Sequence, residues 1–176
     1  MTLKRLEHGA FIDTADPGEQ GYEGNPPRIS VTGHEAQLLA ALALGRTVLE
    51  IGTGLGVSTR AMSDTAYKVF TCDIDDWVLD TVVLSSNAQF IPRSTLVKLK
   101  DLPGSRMITM VFIDGLHTEA AVCADISLAR EVVQNRGGII VLHDIGLPPV
   151  EETIRQSGLK LIVEFDTHYG LGVYEP

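Results

Sequence analysis

Two short stretches of the chain carry the residue types of acid–base chemistry. Asp114-Gly115-Leu116-His117 follows the apolar run 108–113, and His143-Asp144 follows the apolar run 138–142. Two acids and two imidazoles therefore stand at the ends of two apolar segments. An imidazole with an ordinary pKa near ~6.5 exchanges protons at neutral pH, so these four groups on one rim would form a chemical cluster. Taken singly, His143 has the alternative of a hydrogen-bonded structural histidine and Asp144 that of a cap for the loop before Pro148-Pro149. Acids inside a sheet are costly, so their recurrence at two segment ends favours a cluster on one rim.

A third stretch, Glu50-Ile51-Gly52-Thr53-Gly54-Leu55-Gly56, follows the apolar Val48-Leu49 and precedes a helical pattern. Glycines there permit a sharp turn and let a ligand approach the main chain, with the next helix N-terminus directed at it. For the glycines alone, a structural turn is the alternative. A dinucleotide site wants GxGxxG, and Val57 stands at the last position, which disfavours NAD. Asp73 lies 21 residues after Gly52, at the end of the next apolar run. A carboxylate at that place can accept both hydroxyls of a ribose. The alternative, an N-cap for the following helix, has better candidates in Asp75 and Asp76.

Placing these groups together needs strands alternating with helices, and the apolar pattern supplies them. Thr32-Gly33-His34-Glu35 has capping-box spacing, so a helix is expected over 36–44, ending at Gly45. Strands are expected at 48–51, 68–73, 88–93, 108–113 and 138–142. Helices are expected at 57–62, 77–84, 95–102, 117–133 and 149–157, with a strand at 96–99 as the alternative for the third of these. In 117–133 the buried face is expected to carry Ala121, Ala124, Leu128 and Val132. Segments 161–165 and 171–174, joined through His168-Tyr169-Gly170, read as a closing hairpin.

Strands apolar on both faces and separated by helices imply an α/β fold. The expected form is a Rossmann-like, doubly wound, mostly parallel seven-stranded sheet with an antiparallel C-terminal hairpin. Ligands of such sheets sit at the carboxyl ends of the strands near the switch point, where all three motifs fall. With 176 residues the chain fits one domain, expected over 31–176. Residues 1–30, rich in Gly, Pro and Asn turn signals, are expected to be an irregular lead-in.

Fourteen Lys+Arg against twenty-three Asp+Glu give a formal charge of -9. The basic residues are scattered, so nucleic-acid binding is disfavoured by the net field. No secretory leader pattern opens the chain and no apolar run reaches the ~18 residues of a membrane span. A cytoplasmic protein without membrane attachment is expected. Cys72 and Cys123 match neither a zinc knuckle nor a CxxC pair, and both are expected as buried free thiols.

The wording Val48-Leu49-Glu50-Ile51-Gly52-Thr53-Gly54-Leu55-Gly56, with Val69-Phe70-Thr71-Cys72-Asp73, resembles the first two motifs of the class I methyltransferases that bind S-adenosylmethionine. The resemblance implies that Glu50, Gly52, Thr53, Gly54, Gly56 and Ser58 surround the cofactor. It places Asp73 on the ribose and Ser94 or Thr95 near the adenine. Ile113-Asp114-Gly115-Leu116-His117 and Gly137-Gly138-Ile139-Ile140-Val141-Leu142-His143-Asp144 are similar to a narrower branch, the metal-assisted O-methyltransferases. Within it they are closest to the macrolide-sugar methyltransferase and cephalosporin hydroxylase group. That likeness implies a divalent cation, Mg²⁺ or another, on Asp114, His143 and Asp144. It also implies Asp114 beside the cofactor and His117 as the base, where catechol-type enzymes carry a lysine. The likeness extends over about residues 30 to 176.

His143 stands where the catechol-type pattern has an acid, and imidazole is a poorer ligand for Mg²⁺ than carboxylate, so the metal is left open. The short chain leaves room for a partner subunit, a homodimer included. The leading expectation is methyl transfer to a hydroxyl of a small-molecule acceptor. A non-catalytic S-adenosylmethionine-binding module and a nucleotide-dependent oxidoreductase are the rival expectations.

Overall fold

The computed structural model describes residues 31–74, 82–92, 104–133, 137–167 and 170–176. Thr32 opens helix α1 (Gly33–Ala43) with a reciprocal cap. Its hydroxyl accepts from the Glu35 main-chain N–H, and the Glu35 carboxylate accepts from the Thr32 N–H at 2.8 Å. Such a cap is worth about 1 kcal/mol. Ala36, Leu38, Leu39 and Ala43 then form the buried stripe of α1.

The chain continues through β1 (Thr47–Ile51), α2 (Val57–Ser63), β2 (Lys68–Cys72) and β3 (Ala88–Phe90). A single 3₁₀ turn (Ser105–Met107) leads into β4 (Ile108–Ile113), α3 (Glu119–Val133) and β5 (Ile139–His143). Helix α4 (Pro148–Ser157) and the strands β6 (Lys160–Phe165) and β7 (Leu171–Glu175) complete the order. Proline at the first turn of α4 and Gly158 in the left-handed region after it supply its start and stop.

All seven strands form one sheet in the order β3-β2-β1-β4-β5-β7-β6. The first five pair in parallel, while β7 runs antiparallel to both β5 and β6. Residues alternate between two cores because β1, β4 and β5 are apolar on both faces. Val48, Met110, Phe112 and Val141 meet Leu39, Ala61 and Met62 of α1 and α2. Leu49, Val111, Ile113 and Leu142 meet Val122, Ile126 and Ala129 of α3 and Val150 of α4. The strand order reverses between β1 and β4, so the carboxyl ends of these two strands flank the switch point. No helix of the described residues is long and apolar enough to cross a membrane.

The expected architecture is thus the observed one, with local differences. The expected strand at 88–93 is found as Ala88–Phe90, while 95–102 and 77–81 lie wholly or mostly outside the described residues. Val82–Leu84, expected as the end of a helix, are not helical; Val82 instead packs its side chain onto Gly56. On α3 the buried stripe is Val122, Asp125, Ile126, Ala129 and Val133, one position on from the expected one. Leu128 and Val132 only flank this core, and Ala124 is exposed. The rotation also turns Cys123 outward, so Cys72 is buried as expected and Cys123 is not.

Candidate functional site at the strand ends

The glycine loop leaves β1 at the switch point. Gly52 has φ 102°, and a Cβ there would lie 2.0 Å from the Asp114 carbonyl oxygen. Its missing side chain therefore lets the ends of β1 and β4 touch, with the Asp114 N–H bonded to the Ile51 carbonyl at 2.8 Å. At Gly54 the position of a Cβ has no atom of the described residues within 4 Å, so among these residues nothing covers the crest of the loop. Asp73 reaches this crest from the end of β2, its Oδ2 accepting from the Gly54 N–H at 2.9 Å.

Beneath the crest the polar side chains turn inward. Glu50 is 0 % exposed in the middle of the sheet, and its carboxylate accepts from the hydroxyls of Ser58, at 2.5 Å, and Thr59. Burial pushes the Glu50 carboxyl up to about 7, against the downward pull of those hydroxyls. Thr53 is braced against Thr71 by a 2.6 Å hydroxyl–hydroxyl hydrogen bond. Glu50, Ser58 and Thr53 thus hold the shape of the loop and leave its main chain for a ligand. Ser94 and Thr95 lie outside the described residues.

Across the switch point, β4 and β5 deliver the second constellation. His143 ends β5 with its side chain on the α1 face and is 4 % exposed. Its Nδ1 lies 3.1 Å from Asp114 Oδ1 and 3.2 Å from Asp144 Oδ1. Its Nε2 lies 3.2 Å from Glu35 Oε1. His117, on the turn between β4 and α3, places Nε2 3.0 Å from Asp144 Oδ2 and 3.8 Å from Asp114 Oδ1. Asp144 has φ 56°, the one non-glycine in the left-handed region among the described residues. Aspartate is among the non-glycine residues that most readily adopt this conformation. The conformation keeps the 1 % exposed Asp144 carboxylate between both imidazoles.

Charge holds this cluster together. Burial works against an imidazolium at His143, but Asp114, Asp144 and Glu35 more than offset it and raise its proton affinity far above the ordinary value. Burial likewise opposes ionisation of Glu35, yet His143, Thr167 and the Thr32 main chain bring that carboxyl down to about 2. Asp144 is held below the usual carboxylate range by His117 and His143 despite its burial. The Asp144 carboxylate in turn raises the pKa of His117.

The same geometry fits a cation. Asp114, His143 and Asp144 offer ligand atoms that all lie within 4.8 Å of one another. Ligands at ~2.0 to 2.6 Å from one ion are separated by no more than that scale allows. Asp144 Oδ1 is buried without a hydrogen bond, a need that a proton on His143 Nδ1 or a cation would meet. Glu35 on the far nitrogen of His143 stands where an outer carboxylate would orient that imidazole if it held a cation.

The structure therefore brings Gly54 to Asp73, and Asp114 to His117, His143 and Asp144, as their places at strand ends implied. Sequence reasoning missed Glu35. Its spacing from Thr32 announced a helix cap, and nothing local announces that the second carboxylate oxygen meets His143 from a helix on the face of the sheet.

Residues 49–145, more than half of the chain, match the family described as "Methyltransferase domain". None of the curated proteins matches the chain. Among solved structures, it is similar to the O-methyltransferase TomG of Streptomyces achromogenes, involved in tomaymycin synthesis and in complex with SAM. The TM-score is 0.68 at 15% identity, covering 99% of this chain and 96% of that one. It is also similar to an O-methyltransferase from Bacillus cereus in complex with SAH, with TM-score 0.62, 16% identity and 82% and 80% of the two chains covered. A ribosomal protein L11 methylase from Lactobacillus delbrueckii subsp. bulgaricus shares the fold at TM-score 0.54 and 17% identity, over 85% and 81% of the chains. At these identities the likenesses show the Rossmann-like fold, and the acceptors of the neighbours differ. With the glycine loop, the acid after β2 and the sheet order in place, the family match completes the assignment: this chain belongs to the methyltransferase-domain family.

Proposed function

We propose that the protein transfers a methyl group from S-adenosylmethionine to a hydroxyl of a small molecule, with a divalent cation at the ends of β4 and β5. The observation that carries this reading is the juxtaposition across the switch point. An open glycine crest with Asp73 lies on one side, and the Asp114, His117, His143 and Asp144 cluster on the other. Solved neighbours that are O-methyltransferases support oxygen as the acceptor atom.

S-Adenosylmethionine, when bound, supplies a methyl carbon activated by its sulfonium. The main chain at Gly52, Thr53, Gly54 and Gly56 lines its seat, and Asp73 accepts from the ribose hydroxyls. Asp114 borders both halves, because its main chain packs on Gly52 while its side chain meets His143. Asp114, His143 and Asp144 would hold a cation, whose charge acidifies and orients a hydroxyl. His117 receives the hydroxyl proton at Nδ1, while its Nε2–H faces the Asp144 carboxylate 3.0 Å away, which favours the resulting imidazolium. The acceptor oxygen bonds to the methyl carbon as the carbon–sulfur bond breaks, and the electron pair of that bond stays with sulfur. A cleft of about 420 Å³ beginning at Ile145, directly after Asp144, is of a size for a small acceptor.

Release of S-adenosylhomocysteine over a panel of hydroxyl compounds, with and without divalent metal and chelator, tests the reading. Turnover is expected to fall in chelator and return with metal, and Asp144→Asn is expected to raise the metal concentration required. His117→Ala is expected to cost ~10²- to 10⁴-fold in turnover while leaving cofactor affinity near the parent value. Full turnover of that variant contradicts the role of His117, and full turnover in chelator removes the cation.

A further inference from the structure

The cleft that begins at Ile145, the residue after Asp144 in the chain, has a chemical character of its own. It lies in the angle between α4 and the β6–β7 hairpin, with Ile145, Ile154 and Phe165 among its apolar walls. Glu151, Glu164 and Asp166 also line it, and among the described residues no lysine or arginine does. A concave surface with three carboxylates and aromatic walls favours one sign of charge.

A second, independent feature is Tyr174, which is 5 % exposed and forms part of the wall. Its ring lies back along β7 over Gly172, where a Cβ would stand 2.6 Å from the hydroxyl. Glycine at 172 therefore makes the room in which that hydroxyl sits. Glu164 faces Gly172 across the β6–β7 register, next to the hydroxyl. Burial, with the Glu164 charge, pushes the Tyr174 phenol up to about 12, so it remains protonated. The hydroxyl makes no hydrogen bond to another of the described residues and belongs to a side chain that lines the cleft. A donor group on a ligand would satisfy both the hydroxyl and the carboxylates.

We infer that this cleft receives a positively charged amino group of the methyl acceptor, so that the substrate class is a small hydroxyl compound bearing an ammonium or alkylammonium group. The inference rests on the methyl-transfer reading above and assigns Glu164, Asp166 and Tyr174 to acceptor selection. Glu151 completes the acidic wall from α4. An ammonium there meets two or more carboxylates, a phenol oxygen and aromatic faces, whereas a neutral hydroxyl gains little and a carboxylate is repelled.

Three phenols of one size separate these cases: tyramine, tyrosol and 4-hydroxyphenylacetate carry a cationic, a neutral and an anionic tail. The full chain, ¹⁵N-labelled and saturated with S-adenosylhomocysteine, is titrated with each, and the amides of Ile145, Gly146, Thr167 and Gly170 are followed by NMR. Tyramine is expected to shift these amides with a Kd roughly tenfold below that of tyrosol, and 4-hydroxyphenylacetate to bind more weakly than either. The paired change Glu164→Gln with Asp166→Asn should bring tyramine to the level of tyrosol, and Tyr174→Phe should weaken it by a smaller factor. Equal binding of the three phenols, preference for the anion, no tyramine shift at these amides, or an unchanged tyramine Kd in the paired variant overturns the inference. Failure of the parent chain to bind S-adenosylhomocysteine in the first step overturns the methyl-transfer reading instead.

Discussion

Glu35 and His143, from the first helix and the fifth strand, meet with Oε1 3.2 Å from Nε2, and both side chains are almost wholly buried. The other carboxylate oxygen, Oε2, accepts from the Thr32 N–H at 2.8 Å and its hydroxyl at 3.0 Å. One side chain thus caps α1 and fixes the imidazole on which Asp114 and Asp144 converge. Glu35→Ala leaves a buried imidazole facing two acids without its third partner and removes the cap. We expect it to cost about 3 to 5 kcal/mol in urea unfolding. Glu35→Gln, which keeps an acceptor oxygen, should cost less. Equal stability of Glu35→Ala and the parent would contradict the pairing.

Two buried glutamates should give stability opposite dependences on pH. The Glu35 carboxyl is lowered from 4.5 to about 2 in the folded chain, so its contribution is present above 4.5 and is lost as pH falls toward 2. The Glu50 carboxyl is raised from 4.5 to about 7, so its contribution is complete below 4.5 and is lost as pH rises to 7. Each is of the order of 3 kcal/mol. Glu50→Gln should therefore gain in Tm over the parent between pH 4.5 and 7 and hold that gain at pH 8. A Tm difference independent of pH would show that Glu50 ionises freely.

Asp73 connects β2 to the crest of the loop through the Gly54 N–H. Asp73→Ala should weaken S-adenosylhomocysteine binding by at least ~10-fold in calorimetry, since charge-assisted hydrogen bonds are worth about 1.5 to 3 kcal/mol. Asp73→Asn, which can still accept from Gly54, should keep more of the affinity. Unchanged affinity in a folded Asp73→Ala chain would move the ribose elsewhere.

Gly52→Ala would place a carbon 2.0 Å from the Asp114 carbonyl oxygen, main chain against main chain. The ends of β1 and β4 must separate to admit it, with an expected loss of about 3 kcal/mol or more. Gly54→Ala meets no atom of the described residues within 4 Å, so its expected cost comes from the left-handed backbone and should be smaller. A chemical denaturation pair gives the comparison, and the reverse order of costs would show that the switch point is looser than described.

How much of this was readable in advance depends on whether the signal is local. The loop at Gly52, Gly54 and Gly56, the acid at Asp73 and the groups at Asp114, His143 and Asp144 follow predominantly apolar strands, so their place on one rim follows from the α/β pattern. The stripe of α3 was misplaced by one residue because Asp125 is buried within it, and a polar residue breaks the apolar period by which a stripe is read. Val82 leaves the expected helix to cover Gly56, a contact between distant segments that propensity does not encode. Glu35 is the most instructive case. Its cap is a three-residue pattern, whereas its contact with His143 exists only once α1 lies on the sheet.

The most direct test of the central claim is a crystal structure of the chain saturated with S-adenosylhomocysteine. The account predicts its ribose hydroxyls on Asp73, its chain over the main chain of Gly52 and Gly54, and its sulfur directed toward Asp114 and His117. A ligand seated away from the β1 loop, or one whose sulfur faces away from the Asp114, His117 and Asp144 cluster, would contradict it.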